Sequence, residues 1–278
     1  VLDMVLILNF HMGVAGAAWA TVISQGISGL ACLVYMVKRF DILKITKEEW
    51  RLEWSYTGVL CNMGIPMGLQ YSITAIGSVI LQTAVNTLGS AAVASTAAAT
   101  KISMFFCCPF DAMGSTMATY AGQNVGAGKL ARVSKGMKST CILGLVYSVL
   151  ACAVLTIFGK TIALLFVDAS ETAILQNVGW FLTINSSLFF PLALVNIVRF
   201  TIQGLGFSRF AILAGVCEMA ARSVVGLGFV PVFGYIAACF ANPVAWICAD
   251  LFLVPAYWHV MKKLHKMMEK KEAQPGVG

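Results

Sequence analysis

Six ionisable residues stand inside long apolar runs of this sequence: Lys101, Asp111, Arg199, Glu218, Arg222 and Asp250. Their formal charges cancel. Each would cost ~2.5–3.5 kcal/mol if it faced lipid, so all six should turn inward and meet partners or water. Charges held that way can bind a charged solute or pass a proton or cation. Glu218 and Arg222 are four residues apart in the favourable order and predict an intrahelical ion pair. Lys101 and Asp111 are ten apart, about 15 Å along a helix, and cannot pair directly. Asp111, Arg199 and Asp250 therefore require partners on other helices, which predicts a polar cavity among the third, fifth and seventh apolar runs. Gln70, Gln82 and Asn196 supply candidate uncharged linings, and Lys101 joins the cavity candidates.

The elements that must position these side chains are the apolar runs themselves, at roughly 14–37, 57–85, 91–120, 139–158, 173–202, 210–230 and 235–261. Each is long enough to cross a ~30 Å hydrocarbon core as a helix. None shows the period-2 alternation of a barrel strand. Hydrophobic residues make up 59% of the chain and the mean hydropathy is +0.84, values that exclude an ordinary soluble domain. The reading is an all-α integral membrane protein, a polytopic helical bundle. Prolines recur inside runs, at Pro66, Pro109, Pro191 and Pro243, each freeing a backbone carbonyl one turn earlier that protein or water must meet.

A net charge of +7 could suggest nucleic acid, but the cations sit in short loops and a tail without interleaved aromatics, so no nucleic-acid partner is expected. Loops 38–56, 121–138 and 203–209 and the tail 262–278 hold fifteen Lys and Arg, and the opposite set holds only Lys160. That asymmetry predicts the first set and the C-terminus to be cytoplasmic, in a multi-pass plasma (inner) membrane protein. Within 39–56, Thr46 and Glu49 form a capping-box pattern beside Trp50 and Trp54, which predicts a short interfacial helix. The basic tail reads as a fraying helix drawn to anionic lipid. The nine cysteines show no CxxC and no His at ligand spacing, and read as small buried hydrophobes without a metal site.

Catalytic readings lack their parts. The glycines of GQNVGAGKL are spaced wrongly for a phosphate loop, and Leu130 stands where Ser or Thr would hold magnesium. No GxSxG, HExxH or kinase signature is present, so no enzyme is expected.

GVAGAAWATVISQ (Gly13–Gln25), IPMGLQ (Ile65–Gln70), ATYAGQNVGAGKLARV (Ala118–Val133), RFTIQGLGFSR (Arg199–Arg209) and GYIAACFANPVAWICADLFLVPAYW (Gly234–Trp258) together resemble the multidrug and toxic compound extrusion (MATE) family. The resemblance implies twelve helices in two six-helix lobes and drug-for-cation antiport. This chain would then hold the C-terminal part, from the end of helix five through helix twelve. Residues 1–38 would be the remnant of the N-terminal lobe, 39–56 a cytoplasmic interlobe linker, 57–261 the complete C-terminal six-helix lobe and 262–278 the basic tail. The rest of the N-terminal lobe would be a partner, with the bilayer and a small organic substrate. QGLGFSR (Gln203–Arg209) also echoes GQNVGAGK, a weak internal repeat.

The family's functional residues carry over unevenly. Asp3 and Thr21 match an Asp and a Thr that many relatives use for the coupling cation. Other branches place a Glu where Thr74 stands and an acid where Leu192 stands, so their second-lobe cation site is not matched here, and Thr74 remains a cavity candidate. The expected function is export of amphipathic or cationic organic compounds in exchange for H+ or Na+, with no other cofactor. Two alternatives are a flippase for lipid-linked glycans or polyisoprenoids, which would favour a more cationic cavity, and a seven-span receptor.

Overall fold

A computed structural model describes residues 2–40 and 53–273 of the 278-residue chain. The chain divides into two compact units, Val1–Thr57 and Gly58–Gly278. The capping-box helix expected between them lies, over residues 41–52, outside the described residues. In the first unit a short helix α1 (Leu2–Met4) runs through a π turn (Val5–Asn9) into α2 (Gly13–Arg39). The chain turns at His11 and Gly13, which both have positive φ, 51° and 53°. Gly16 lets α2 pass close to Leu6, since a Cβ there would lie 3.1 Å from the Leu6 carbonyl oxygen.

The second unit contains α3 (Trp54–Asn86, most of which lies in it), α4 (Ser90–Gly126), α5 (Leu130–Ala163), α6 (Thr172–Ser187), α7 (Phe189–Gly204), α8 (Arg209–Val224), α9 (Val230–Phe233) and α10 (Tyr235–Ala273). Among the described residues there is no strand. Among the described residues six helical stretches are long and apolar enough to cross a membrane, and a seventh crossing is made if α6 and α7 are one broken span. The fifth apolar run, read as a single helix over 173–202, is therefore corrected to two helices bent by 52° at Leu188. The break has a local cause. Ser186 and Ser187 donate their hydroxyls back to Thr183 and Ile184, competing with the helix ladder. Pro191 also has no N–H to offer the carbonyl of Ser187. Pro191 thus sits in the first turn of α7, where a missing N–H leaves no carbonyl orphaned inside that helix.

The other prolines do lie inside helices, joined by Pro255. At Pro243 the freed carbonyl is that of Cys239, and Asn185 Nδ2 donates to it at 3.1 Å. Beside Pro109, the Tyr147 hydroxyl donates to the carbonyl of Phe106 at 3.0 Å. At Pro243 a side chain from a neighbouring helix therefore supplies what the proline removed, as an apolar medium requires, while the Tyr147 bond falls on the carbonyl next to that of Phe105, the one Pro109 frees.

Two turns at the lysine-rich end have the same geometry. After α4 the N–H of Lys129 bonds the carbonyl of Asn124, and that of Gly128 bonds Val125. After α7 the N–H of Phe207 bonds Ile202, and that of Gly206 bonds Gln203. Gly128 and Gly206 take φ of 73° and 87°, the left-handed position of a helix-ending glycine motif. The echo between the two sequence stretches is thus a repeated helix stop. Above these stops α4 and α7 cross along Gly114, Ala118 and Gly122 on one side and Asn196, Phe200 and Gly204 on the other. Small residues one turn apart let helices approach in a membrane.

The core of the unit holds an aromatic chain. Phe110 meets Tyr147 and Phe189 edge-on, and Phe189 tilts against Trp246. On the opposite side of α5, Ile142, Val146, Val149 and Ile157 are exposed, as side chains facing lipid should be. Between α5 and α6, the Asp168 carboxylate accepts from the Ser170 N–H (2.9 Å) and hydroxyl (2.8 Å). These bonds hold its pKa below the ordinary value. Their support for the turn is present at neutral pH and is lost as pH falls through that lowered pKa. α10 continues as one helix from Tyr235 to Ala273, past the end of the seventh apolar run. Of the nine cysteines only Cys239 is fully buried, and Cys32, Cys61 and Cys108 are exposed. The exposed thiols correct the expectation that all nine are buried, since a cysteine on an apolar helix need not lie on its packed face.

Candidate functional site

A polar cavity of about 300 Å³ opens inside the second unit. Asp111 reaches it from α4, Asn196 and Arg199 from one face of α7, and Glu218 and Arg222 from one face of α8. Asn242 and Trp246, one turn apart on α10, line it too, and Thr74 enters from α3. The break at Leu188 puts Asn185 of α6 and Phe189 of α7 on the same cavity wall.

The charges are organised around Glu218. Its carboxylate accepts from Arg199 of α7 and lies 3.4 Å from Arg222 on its own helix. The intrahelical pair is present, but it is one arm of a triad joining two helices. Both arginines and Glu218 are buried, with 6–7% exposure for the arginines and 3% for Glu218. Arg222 Nε also donates to Asn242 Oδ1 at 3.1 Å. Asp111 accepts from Asn196 Nδ2 at 3.0 Å, so the i,i+3 pair Asn196 and Arg199 serves two acids. The partner of Arg199 comes from the sixth apolar run, so the cavity is not confined to the third, fifth and seventh.

Other sequence candidates lie elsewhere. Gln70 is buried at 2% exposure and lines a neighbouring space of about 520 Å³, which shares Asp111, Asn196 and Arg199 with the cavity. Gly215 permits this, since a Cβ there would sit 3.3 Å from the Gln70 carbonyl oxygen. Gln82 is exposed and donates to Asn86 on its own helix at 2.9 Å. Lys101 is exposed and does not line the cavity. Both are removed from the cavity set, because each faces a different side of its helix. Asp250 is two turns beyond Asn242, and its Oδ1 is buried without a hydrogen-bond partner among the described residues. It does not line the cavity either. Asn185 and Asn242 were not picked out by sequence. The available signals were an Asn directly before a proline, and an Asn-Ser-Ser stretch in the middle of an apolar run.

In the first unit Asp3 is exposed on α1. The Thr21 hydroxyl donates to the Ala17 carbonyl at 3.0 Å, which commits its proton to its own helix and leaves its lone pairs free.

The second unit is thus a bundle of long apolar helices with paired charges around an internal cavity. The family model MatE matches residues 66–228, more than half of the chain, and the chain belongs to this family of membrane transporters. The probable multidrug resistance protein YpnP of Bacillus subtilis (strain 168) is 29% identical over 204 residues, covering 71% of this chain and 43% of the relative. The probable multidrug resistance protein YoeA of the same strain is 24% identical over 182 residues, covering 64% and 39%. A solved outward-facing multidrug resistance MATE family transporter of the MOP superfamily shares the fold. Its TM-score is 0.86 at 18% identity, over 95% of this chain and 59% of that one. The chain spans about two fifths of the length of these two curated relatives.

Proposed function

We propose that the whole protein exports amphipathic or cationic organic compounds in exchange for H+ or Na+, with this chain supplying the C-terminal lobe. The carrying observation is the charge-balanced cavity, in which Asp111 and Glu218 face Arg199 and Arg222. A flippase for anionic lipid-linked substrates would favour a cationic excess, and the balance argues against that alternative. The similarity to two probable multidrug resistance proteins supports the same reading. In this reading the lysine-rich end and the C-terminus face the cytoplasm of a cell whose plasma membrane holds the protein.

A coupling ion can drive export only through a difference in its affinity for the inward- and outward-open states. We read Asp3 and Asp111 as the carboxylates that register one. Dye accumulation in cells carrying the full reading frame, with the proton or sodium gradient selectively collapsed, tests the function. Equal accumulation with and without the protein refutes it. Asp111→Asn keeps an oxygen to accept from Asn196 and removes only the charge, so the expected result is normal folding with efflux lowered about tenfold or more, on the order of one lost charge-assisted contact. Unchanged efflux removes Asp111 from the mechanism. Asp3→Asn, assayed in parallel, is expected to abolish gradient-driven efflux while leaving passive dye binding in place, and unimpaired antiport excludes Asp3.

A further inference from the structure

A second groove, of about 450 Å³, lies between α5, α7 and α10 and shares no residue with the charged cavity. Its wall is apolar, with Met137, Leu194, Val198 and Val254 among the lining side chains. One side is ringed by Lys138, Lys262 and His265, and among the described residues no acidic one lines it. Lys138 lies eight residues inside α5, about 12 Å from its start, near the end of the bundle where lysines collect. Trp258, one turn before Lys262 on α10, is 71% exposed. An exposed tryptophan next to lysine on a spanning helix marks headgroup depth. His265 shares its Nδ1 hydrogen-bonding position with the Met261 carbonyl at 2.8 Å, which leaves Nε2 for another partner.

We propose that this groove is a binding site for an anionic phospholipid, with an acyl chain along the apolar wall and the phosphodiester between Lys138 and Lys262. An oily trough alone would accept any lipid. The uncompensated cations at its mouth select one with net negative charge, because each basic side chain near a membrane surface attracts anionic headgroups. Lysines that merely reach toward water would show no such selection. The site is independent of the transport reading and rests on none of its residues.

The test uses protein expressed from the full reading frame and reconstituted in phosphatidylcholine nanodiscs doped with brominated phosphatidylglycerol or brominated phosphatidylcholine. Subtracting the fluorescence of Trp258→Phe isolates the Trp258 signal. Brominated phosphatidylglycerol is expected to quench it at lower mole fraction, by about fivefold for each lysine. The preference should vanish in K138Q/K262Q and persist in K138R/K262R. Both lysines are exposed, so these variants keep the fold. Equal quenching by the two lipids in the wild type, or a preference that survives K138Q/K262Q, overturns the proposal.

Discussion

Gly204→Val is expected to prevent the second unit from assembling. A Cβ at Gly204 would overlap the carbonyl oxygen of Ala118 and stand 2.7 Å from its Cα. Backbone cannot swing aside as a flexible side chain can, so α4 and α7 would have to separate along their whole crossing. That crossing carries Asp111 on one helix and its donor Asn196 on the other, and the cavity would open with it. Overpacking of this kind costs about 3 kcal/mol, the upper part of its usual range. In a membrane, helix association depends on such close contact. The measurement is the monodisperse fraction in mild detergent, with Gly126→Ala as the control. Gly126 is helical, and nothing lies within 4 Å of an added Cβ, so that variant should behave as wild type. Wild-type behaviour of Gly204→Val would mean that the α4–α7 crossing is not as described.

The second large effect is expected at Glu218. Glu218→Gln keeps the shape and removes the negative charge shared by Arg199 and Arg222. Both guanidinium groups are buried, and Arg199 Nε and Arg222 Nη1 already lack hydrogen-bond partners among the described residues. Taking away one member of a buried charge cluster typically costs 3–5 kcal/mol, on the order of the whole stability margin of many domains. The expected result is a large fall in thermal midpoint. Replacing all three residues with apolar ones of similar volume should restore much of that stability, since desolvation offsets most of what a buried ion pair contributes. Efflux should not return with it if the triad takes part in transport. An unchanged midpoint in Glu218→Gln would show that the triad is hydrated and contributes little.

Much of the architecture was legible because it follows from one-dimensional chemistry. Runs of apolar residues longer than a bilayer is thick must become helices, since lipid offers backbone groups no partner. Charges inside those runs must turn inward, which by itself groups Asp111 and Arg199 with Asn196 in one polar cavity, whereas Glu218 and Arg222 read from sequence only as a pair on their own helix. The glycines of GQNVGAGK and QGLGFSR announced two related loops for a local reason, since only residues tolerant of positive φ can end a helix in that way.

What the linear order could not supply was which faces meet. Lys101 and Gln82 have the same polarity as residues that reached the cavity, yet helix rotation sends them elsewhere. Rotation is decided by packing across helices, such as Gly204 against Ala118 and Gly215 against Gln70. The partner of Arg199 was likewise undetermined, because Glu218 was already satisfied on paper by Arg222 four residues away. Sequence alone established the apolar runs, their polar contents and the two glycine stops, but not the break at Leu188. Tertiary structure decided that one acid serves two arginines from two helices, because a buried carboxylate can accept from several directions and only three-dimensional proximity selects them.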